Sequence, residues 1–109
     1  MDFQKTEYKR VVVLKTAGRI DSATAPELES ALNEWIDTDK SIIFDAQDVD
    51  FISSAGWWTI IRAQKELKKS NRELILVGLC DNVRDSMDLI GILPYFTIYN
   101  TMVEAIGSI

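Results

Sequence analysis

Ser41-Ile42-Ile43-Phe44-Asp45-Ala46-Gln47-Asp48-Val49-Asp50-Phe51-Ile52-Ser53-Ser54-Ala55-Gly56-Trp57 carries the most structural information in this chain. Its first five residues form a short, almost wholly apolar run, the pattern of a central strand covered on both faces. Beyond the Ala46–Asp50 and Phe51–Gly56 segments, Trp57, Ile60, Ile61, Gln64 and Leu67 recur at helical spacing. A helix is therefore predicted to begin near Ser54. A buried strand followed by an amphipathic helix is half of a β-α-β unit, so the flanking sequence should supply more of the same.

Upstream, Thr24-Ala25-Pro26-Glu27 offers a capping-box Thr and Glu with Pro in the first turn, and Leu28, Ala31, Leu32, Trp35 and Ile36 follow at helical spacing. Before them, Val11-Val12-Val13-Leu14 is a β-branched run closed by Ala17-Gly18, and Phe3 to Lys9 alternates weakly. These two runs predict a hairpin through Lys9-Arg10. Downstream, Leu74-Ile75-Leu76-Val77-Gly78 repeats the buried-strand pattern. Asp81 can cap a helix carrying Val83, Met87 and Ile90, and Gly91 can stop it. Tyr95 to Tyr99 reads as a last strand, and Thr101-Met102-Val103-Glu104 is a second capping box opening a short terminal helix. The order β-β-α-β-α-β-α-β-α predicts an α/β fold with a single mixed, mainly parallel sheet and its helices largely on one face. With 109 residues, no repeat and no linker, residues 1–109 are expected to form a single domain.

Composition narrows the function. Apolar residues make up 47% and charged residues 27%, an ordinary globular balance. Twelve basic residues against 17 acidic ones leave a net charge of −5, with no basic stripe for a phosphate backbone, so no nucleic acid partner and no membrane insertion are expected. Histidine is absent, which removes Ser-His-Asp and Cys-His catalysis, His-ligated metals and the usual proton shuttle near neutral pH. The chain is not expected to be an enzyme. The lone Cys80 cannot form an internal disulfide, and Met1-Asp2-Phe3-Gln4-Lys5 lacks the secretory pattern, so the expected location is cytoplasmic. Neither Gly18 nor Gly56 has phosphate-loop spacing, and no cofactor is implied. Asp45, Asp48 and Asp50 are read as outward-facing carboxylates, not as a hard-cation site.

The Asp45 strand followed by Phe51-Ile52-Ser53-Ser54-Ala55-Gly56 resembles the STAS domain, named for sulfate transporters and anti-sigma factor antagonists. Gly18-Arg19-Ile20-Asp21, Val83…Met87…Ile90-Gly91-Ile92 and Thr101…Glu104-Ala105 extend the resemblance through most of the chain. In family members that act as anti-sigma factor antagonists, one serine at this motif is phosphorylated. The resemblance puts that serine on Ser54, with Ser53 as the second candidate because many such members carry aspartate where Ser53 stands. A serine between a buried strand and a helix start is accessible, and its hydroxyl can cap the helix; capping alone is the plainer account of Ser53 and Ser54. A phosphate there adds about −1.5 to −2 charge that helix N–H groups and the macrodipole tolerate.

Asp21 matches a polar family position close to the phosphorylated loop, and it is equally suited to a turn or cap. Trp58, Arg62, Lys65 and Lys69 fall at i, i+4, i+7 and i+11, opposite the core face that includes Trp57. Trp58 is either an interface anchor or a surface aromatic covering its own helix or the sheet edge. The resemblance implies a partner-binding surface around Asp21, Ser53, Ser54, Ala55 and Gly56, to which the exposed face of the second helix is expected to add Trp58 and Arg62. Its partner would be an anti-sigma factor that is also a serine protein kinase, released on phosphorylation, with a metal-dependent serine phosphatase reversing the mark. The alternative is a constitutive adaptor that docks on a transporter ATPase or sensory complex without phosphorylation.

Overall fold

The computed structural model describes residues 1–109 and orders them as β1 (Gln4–Glu7), β2 (Val11–Ile20), α1 (Ala25–Ile36), β3 (Ser41–Ile52), α2 (Ser54–Lys68), β4 (Leu74–Val77), α3 (Asp81–Leu89), a 3-10 turn (Leu93–Tyr95), β5 (Thr97–Tyr99) and α4 (Met102–Gly107). The strands lie in one sheet in the order β1-β2-β3-β4-β5. β1 is antiparallel to β2, and every other neighbouring pair is parallel. Each parallel crossover moves one strand further in the same direction, and crossovers of one hand then leave their helices on one face.

That face holds a 21-residue apolar cluster built from β2, β3 and β4 together with α1, α2 and α3. The opposite face has a cluster of only five buried residues, Val11, Ile43, Ile75, Val77 and Ala105, under α4. Ile42, Phe44 and Ala46 of β3 point to the first cluster and Ile43 to the second, so this strand is buried on both faces, as its apolar run predicts. No helix is long and apolar enough to cross a membrane.

β2 and β3 are much longer than their apolar runs. They stay paired beyond Leu14 and Asp45 as far as Ile20 and Ile52, through register shifts between Lys15 and Ala17 and between Gly18 and Arg19. Such irregularities let strands continue across residues that read as a stop. β4 pairs with β3 only from Ile42 to Asp45, and the start of α3 covers the edge left open beyond it. There the Asn82 side-chain amide donates to the Asp50 carbonyl at 3.0 Å. The expected strand from Tyr95 is shorter, because Pro94 sits in a 3-10 turn and β5 begins at Thr97.

The capping assignments divide. Thr101 and Glu104 form both halves of their capping box. Thr24 makes no side-chain cap to α1; its hydroxyl instead donates to the Arg19 carbonyl at 3.1 Å and accepts from the Asp21 N–H at 2.9 Å. Asp81 is the first residue of α3, not its cap, a position held by Cys80. Gly91, at φ +75°, turns the chain away after α3 as expected, which leaves Ile90 exposed and not on a buried helix face. Asp45 also departs from expectation: it is buried on the α4 face, where its carboxylate accepts the Gln47 N–H at 3.2 Å, while Asp48 and Asp50 are exposed.

Candidate functional site

The long β2–β3 pair brings the two candidate loops together. Ile20 and Ile52 are register partners at its end, and the Ser53 N–H donates to the Ile20 carbonyl at 2.8 Å. Asp21 therefore leaves β2 beside the turn where Ser53 leaves β3. The Asp21 carboxylate accepts the N–H groups of Ala23 and Thr24 at 2.9 and 3.2 Å, and the Arg19 side chain approaches it at 3.7 Å. Its oxygens thus open α1, the turn role weighed for it from sequence.

Ser53 and Ser54 have different jobs. Ser53 is the N-cap of α2: its hydroxyl accepts the Gly56 N–H at 3.4 Å and its carbonyl accepts the Trp57 N–H at 2.9 Å. Ser54 is the first helical residue, exposed, and its side chain makes no hydrogen bond. The cap expected of Ser54 is made one residue earlier, which leaves the Ser54 hydroxyl free. Helical geometry also leaves the first N–H groups of α2 without intrahelical partners.

Gly56 holds this turn against the sheet. A Cβ there would lie 2.7 Å from the Ile20 Cγ2 and 2.9 Å from the Ile52 Cγ2, closer than side chains pack. Gly56 is buried, so its part in any partner surface is to let α2 approach the strand ends, not to touch a partner. Trp57 is buried too; its indole N–H donates to the Ser86 hydroxyl at 3.1 Å, tying the first turn of α2 to α3.

Trp58 is 58% exposed and stands as a ridge between two clefts. One, of about 330 Å³, lies toward α1 and is lined by Pro26, Glu29, Ala55 and Arg62 among others. The other, of about 250 Å³, runs from Ser54 past Trp57 to Ile90 and Ile92. Arg62 is paired with Glu29 at 2.7 Å. Asp21, Ser53, Ser54, Ala55, Trp58 and Arg62 thus share one end of the molecule, whereas Lys65 and Lys69 continue along α2 away from it. The apolar residues Ile90, Ile92, Tyr95 and Phe96 beside α2 were not foreseen as part of this surface. Nothing local marks them, because their neighbour is a helix some 30 residues earlier in the chain.

The arrangement offers an approachable hydroxyl with no base bonded to it, in a chain without histidine. That suits a group-transfer acceptor acted on from outside more than a nucleophile of its own. A phosphate on it would meet unpaired N–H groups and the positive end of a 15-residue helix.

Known proteins resemble this chain over most of its length. The family model described as the STAS domain matches residues 2–105. The Bordetella bronchiseptica protein BtrV, assigned as an anti-sigma factor antagonist, is 32% identical over 92 residues, covering 84% of this chain and 79% of that one. The anti-sigma-B factor antagonist of Listeria monocytogenes is 29% identical over 93 residues, covering 84% and 82%. Among solved structures, the anti-sigma factor antagonist SpoIIAA in its unphosphorylated form aligns with a TM-score of 0.84 at 22% identity, covering 98% of this chain and 95% of that one. The phosphorylated form of SpoIIAA, a Bacillus cell fate determinant, aligns at 0.75, covering 98% of each chain. With the family model matched from residue 2 to residue 105 and the BtrV likeness spanning most of both proteins, the chain belongs to the STAS domain family, with anti-sigma factor antagonists as its relatives.

Proposed function

We propose that this protein is a non-catalytic partner switch in the cytoplasm: it binds an anti-sigma factor while Ser54 is unmodified and releases it when Ser54 is phosphorylated. The observation that carries the reading is the division of labour between neighbouring serines. Ser53 holds the helix cap, so Ser54 can be modified without removing a hydrogen bond the fold needs. The relatives named as anti-sigma factor antagonists supply the class of partner.

The anti-sigma factor is itself the kinase in this reading. The Ser54 Oγ attacks the γ-phosphorus of ATP, the bond to the bridging oxygen breaks, ADP leaves, and the hydroxyl proton passes to a base on the kinase. A metal-dependent serine phosphatase restores the hydroxyl by hydrolysis. The phosphate carries about −1.5 to −2 charge. It is tolerated on the free protein by the helix N-terminus but desolvated against a partner packed on Asp21, Ala55 and Trp58, which favours release.

Ser54→Asp is expected to weaken binding to the cognate anti-sigma factor at least tenfold with an unchanged circular dichroism spectrum, while Ser54→Ala binds like the parent. Equal affinities for parent and Ser54→Asp would sink the switch. Mapping phosphorylation in native cells under growth and stress provides the second test. Trypsin cuts after Lys40 and Arg62, giving one peptide with Ser41, Ser53, Ser54 and Thr59, so fragmentation must place the phosphate. The exposure of Trp58 favours one other reading, the constitutive adaptor with Trp58 as anchor. In that case Trp58→Ala costs more affinity than Ser54→Asp.

A further inference from the structure

A groove of about 650 Å³ runs along α2 on the side away from α1, between that helix and the segment from Ile92 to Phe96. Its more buried lining is Ile61, Ile92 and Phe96, and its walls carry Trp58 and Tyr95, exposed by 58% and 65%. It is continuous with the Ser54 cleft, since both are lined by Trp58, Ile61 and Ile92. Monomeric proteins seldom leave adjoining aromatic and aliphatic groups open to water unless something covers them.

The groove is preformed. Gln64, 5% exposed, donates through its amide to the Tyr95 carbonyl at 2.9 Å and to the Leu74 carbonyl at 3.3 Å, and its carbonyl accepts the Leu74 N–H at 2.7 Å. One buried amide thus fixes the 3-10 turn at a set spacing from α2 and from the start of β4, so an occupant need not order the groove to enter it.

The far rim is basic in a chain of net charge −5. Lys65, Lys68 and Lys69 line it, and only Lys69 has an acidic partner, Glu66 at 2.9 Å. Arg62, by contrast, is already neutralised by Glu29 on the α1 side of the helix. The stripe from Trp58 to Lys69 spans twelve residues, about 16 Å at helical rise, or three turns. An apolar trough of that length beside a helix, closed at one end by unpaired ammonium groups, matches an amphipathic helix presenting apolar residues three and four apart and carboxylates at its edge.

We propose that this groove docks an acidic amphipathic helix of a protein partner, side by side with α2. The contact goes beyond the Ser54 switch, and its charged end lies apart from it. Lys65 and Lys68 lie about 16 and 21 Å along the helix from Ser54, further than the roughly 8 Å over which charges are felt in physiological salt. The lysine end of the groove therefore keeps its grip on such a helix when Ser54 is phosphorylated, while Trp58, four residues from Ser54, is shared with the switch surface, so a partner released there can remain tethered by the lysine end.

The test uses the full chain and a fluorescein-labelled 14-residue synthetic peptide, helical in isolation, with Leu and Phe on one face and Glu along its margins. Anisotropy titration is expected to give a dissociation constant of about 10–100 µM, tightening as salt is lowered. Lys65→Glu with Lys68→Glu should weaken binding about tenfold or more, and Tyr95→Ala several-fold, while Ser54→Asp changes it less than twofold. Amide chemical shifts should move at Trp58, Ile61 and residues 92–96. The proposal is overturned if a peptide with Lys in place of Glu, or a scrambled peptide, binds as well, or if the shifts fall elsewhere. It is also overturned if sedimentation shows a dimer abolished by Tyr95→Glu, which would assign the groove to a second copy. Loss of the Ser54→Asp effect on the anti-sigma factor, with peptide binding intact, would count against the switch alone.

Discussion

The two ends of β3 are both closed by hydrogen bonds between side chains and helix-end backbone, and they are used in opposite ways. Where the strand begins, the half-buried Arg72 guanidinium donates to the carbonyls of Trp35, Ile36 and Lys40, tying down the end of α1 and the entry to β3. A cation at a helix C-terminus with three carbonyl acceptors leaves little for a partner to engage. Where the strand ends, Asp21 and Ser53 satisfy the turns that open α1 and α2, but the exposed Ser54 hydroxyl is left over at the capped start of α2. One end is committed to stability, and the other is stabilised by the neighbours of a group held in reserve.

The contrast makes graded predictions for urea unfolding. Arg72→Ala should have the largest effect, about 2–3 kcal/mol, because it leaves carbonyls at a partly buried helix end without their charged donor. Partner binding should be unchanged; a loss below about 0.5 kcal/mol would mean that water replaces the guanidinium and that this end is not a lock. Gly56→Ala should cost about 1–2 kcal/mol, since its Cβ would press on the Ile20 and Ile52 methyl groups. It should also weaken anti-sigma factor binding by displacing the Ser53–Ser54 turn. Neutral stability there would show that the two isoleucines move aside. Ser53→Ala should remove about 1 kcal/mol, the value of an N-cap. Ser54→Ala should stay within about 0.5 kcal/mol of the parent, as an exposed residue without partners does. If Ser54→Ala proved as costly as Ser53→Ala, the proposed division between the two serines would be lost, and with it the difference between the two ends.

The apolar runs at Val11–Leu14, Ile42–Phe44 and Leu74–Val77 announced the strands, and the spacing of Leu28, Leu32 and Trp35 announced a helix, because each pattern is the direct imprint of burial on a local period. Strand ends were less legible. Ala17-Gly18 and the polar stretch after Asp45 look like stops, yet β2 and β3 support one another through them. Caps were legible where the box closes on itself, at Thr101 and Glu104, and illegible at Thr24, whose hydroxyl is drawn to the backbone at Arg19 and Asp21.

The sequence by itself determined the order of strands and helices, the mainly parallel sheet, the absence of histidine chemistry and the motif that places Ser54 at a strand-to-helix turn, since all of these are written in neighbouring residues. Only the tertiary structure decided which serine is the cap, that Gly56 is a packing residue, that Asp21 lies beside Ser53, and that Tyr95 and Ile92 complete a groove with Trp58 and Lys65. Those facts depend on the β2–β3 register and on the Gln64 bridge between α2, β4 and the 3-10 turn. Contacts between residues tens of positions apart leave no period in the sequence from which to read them.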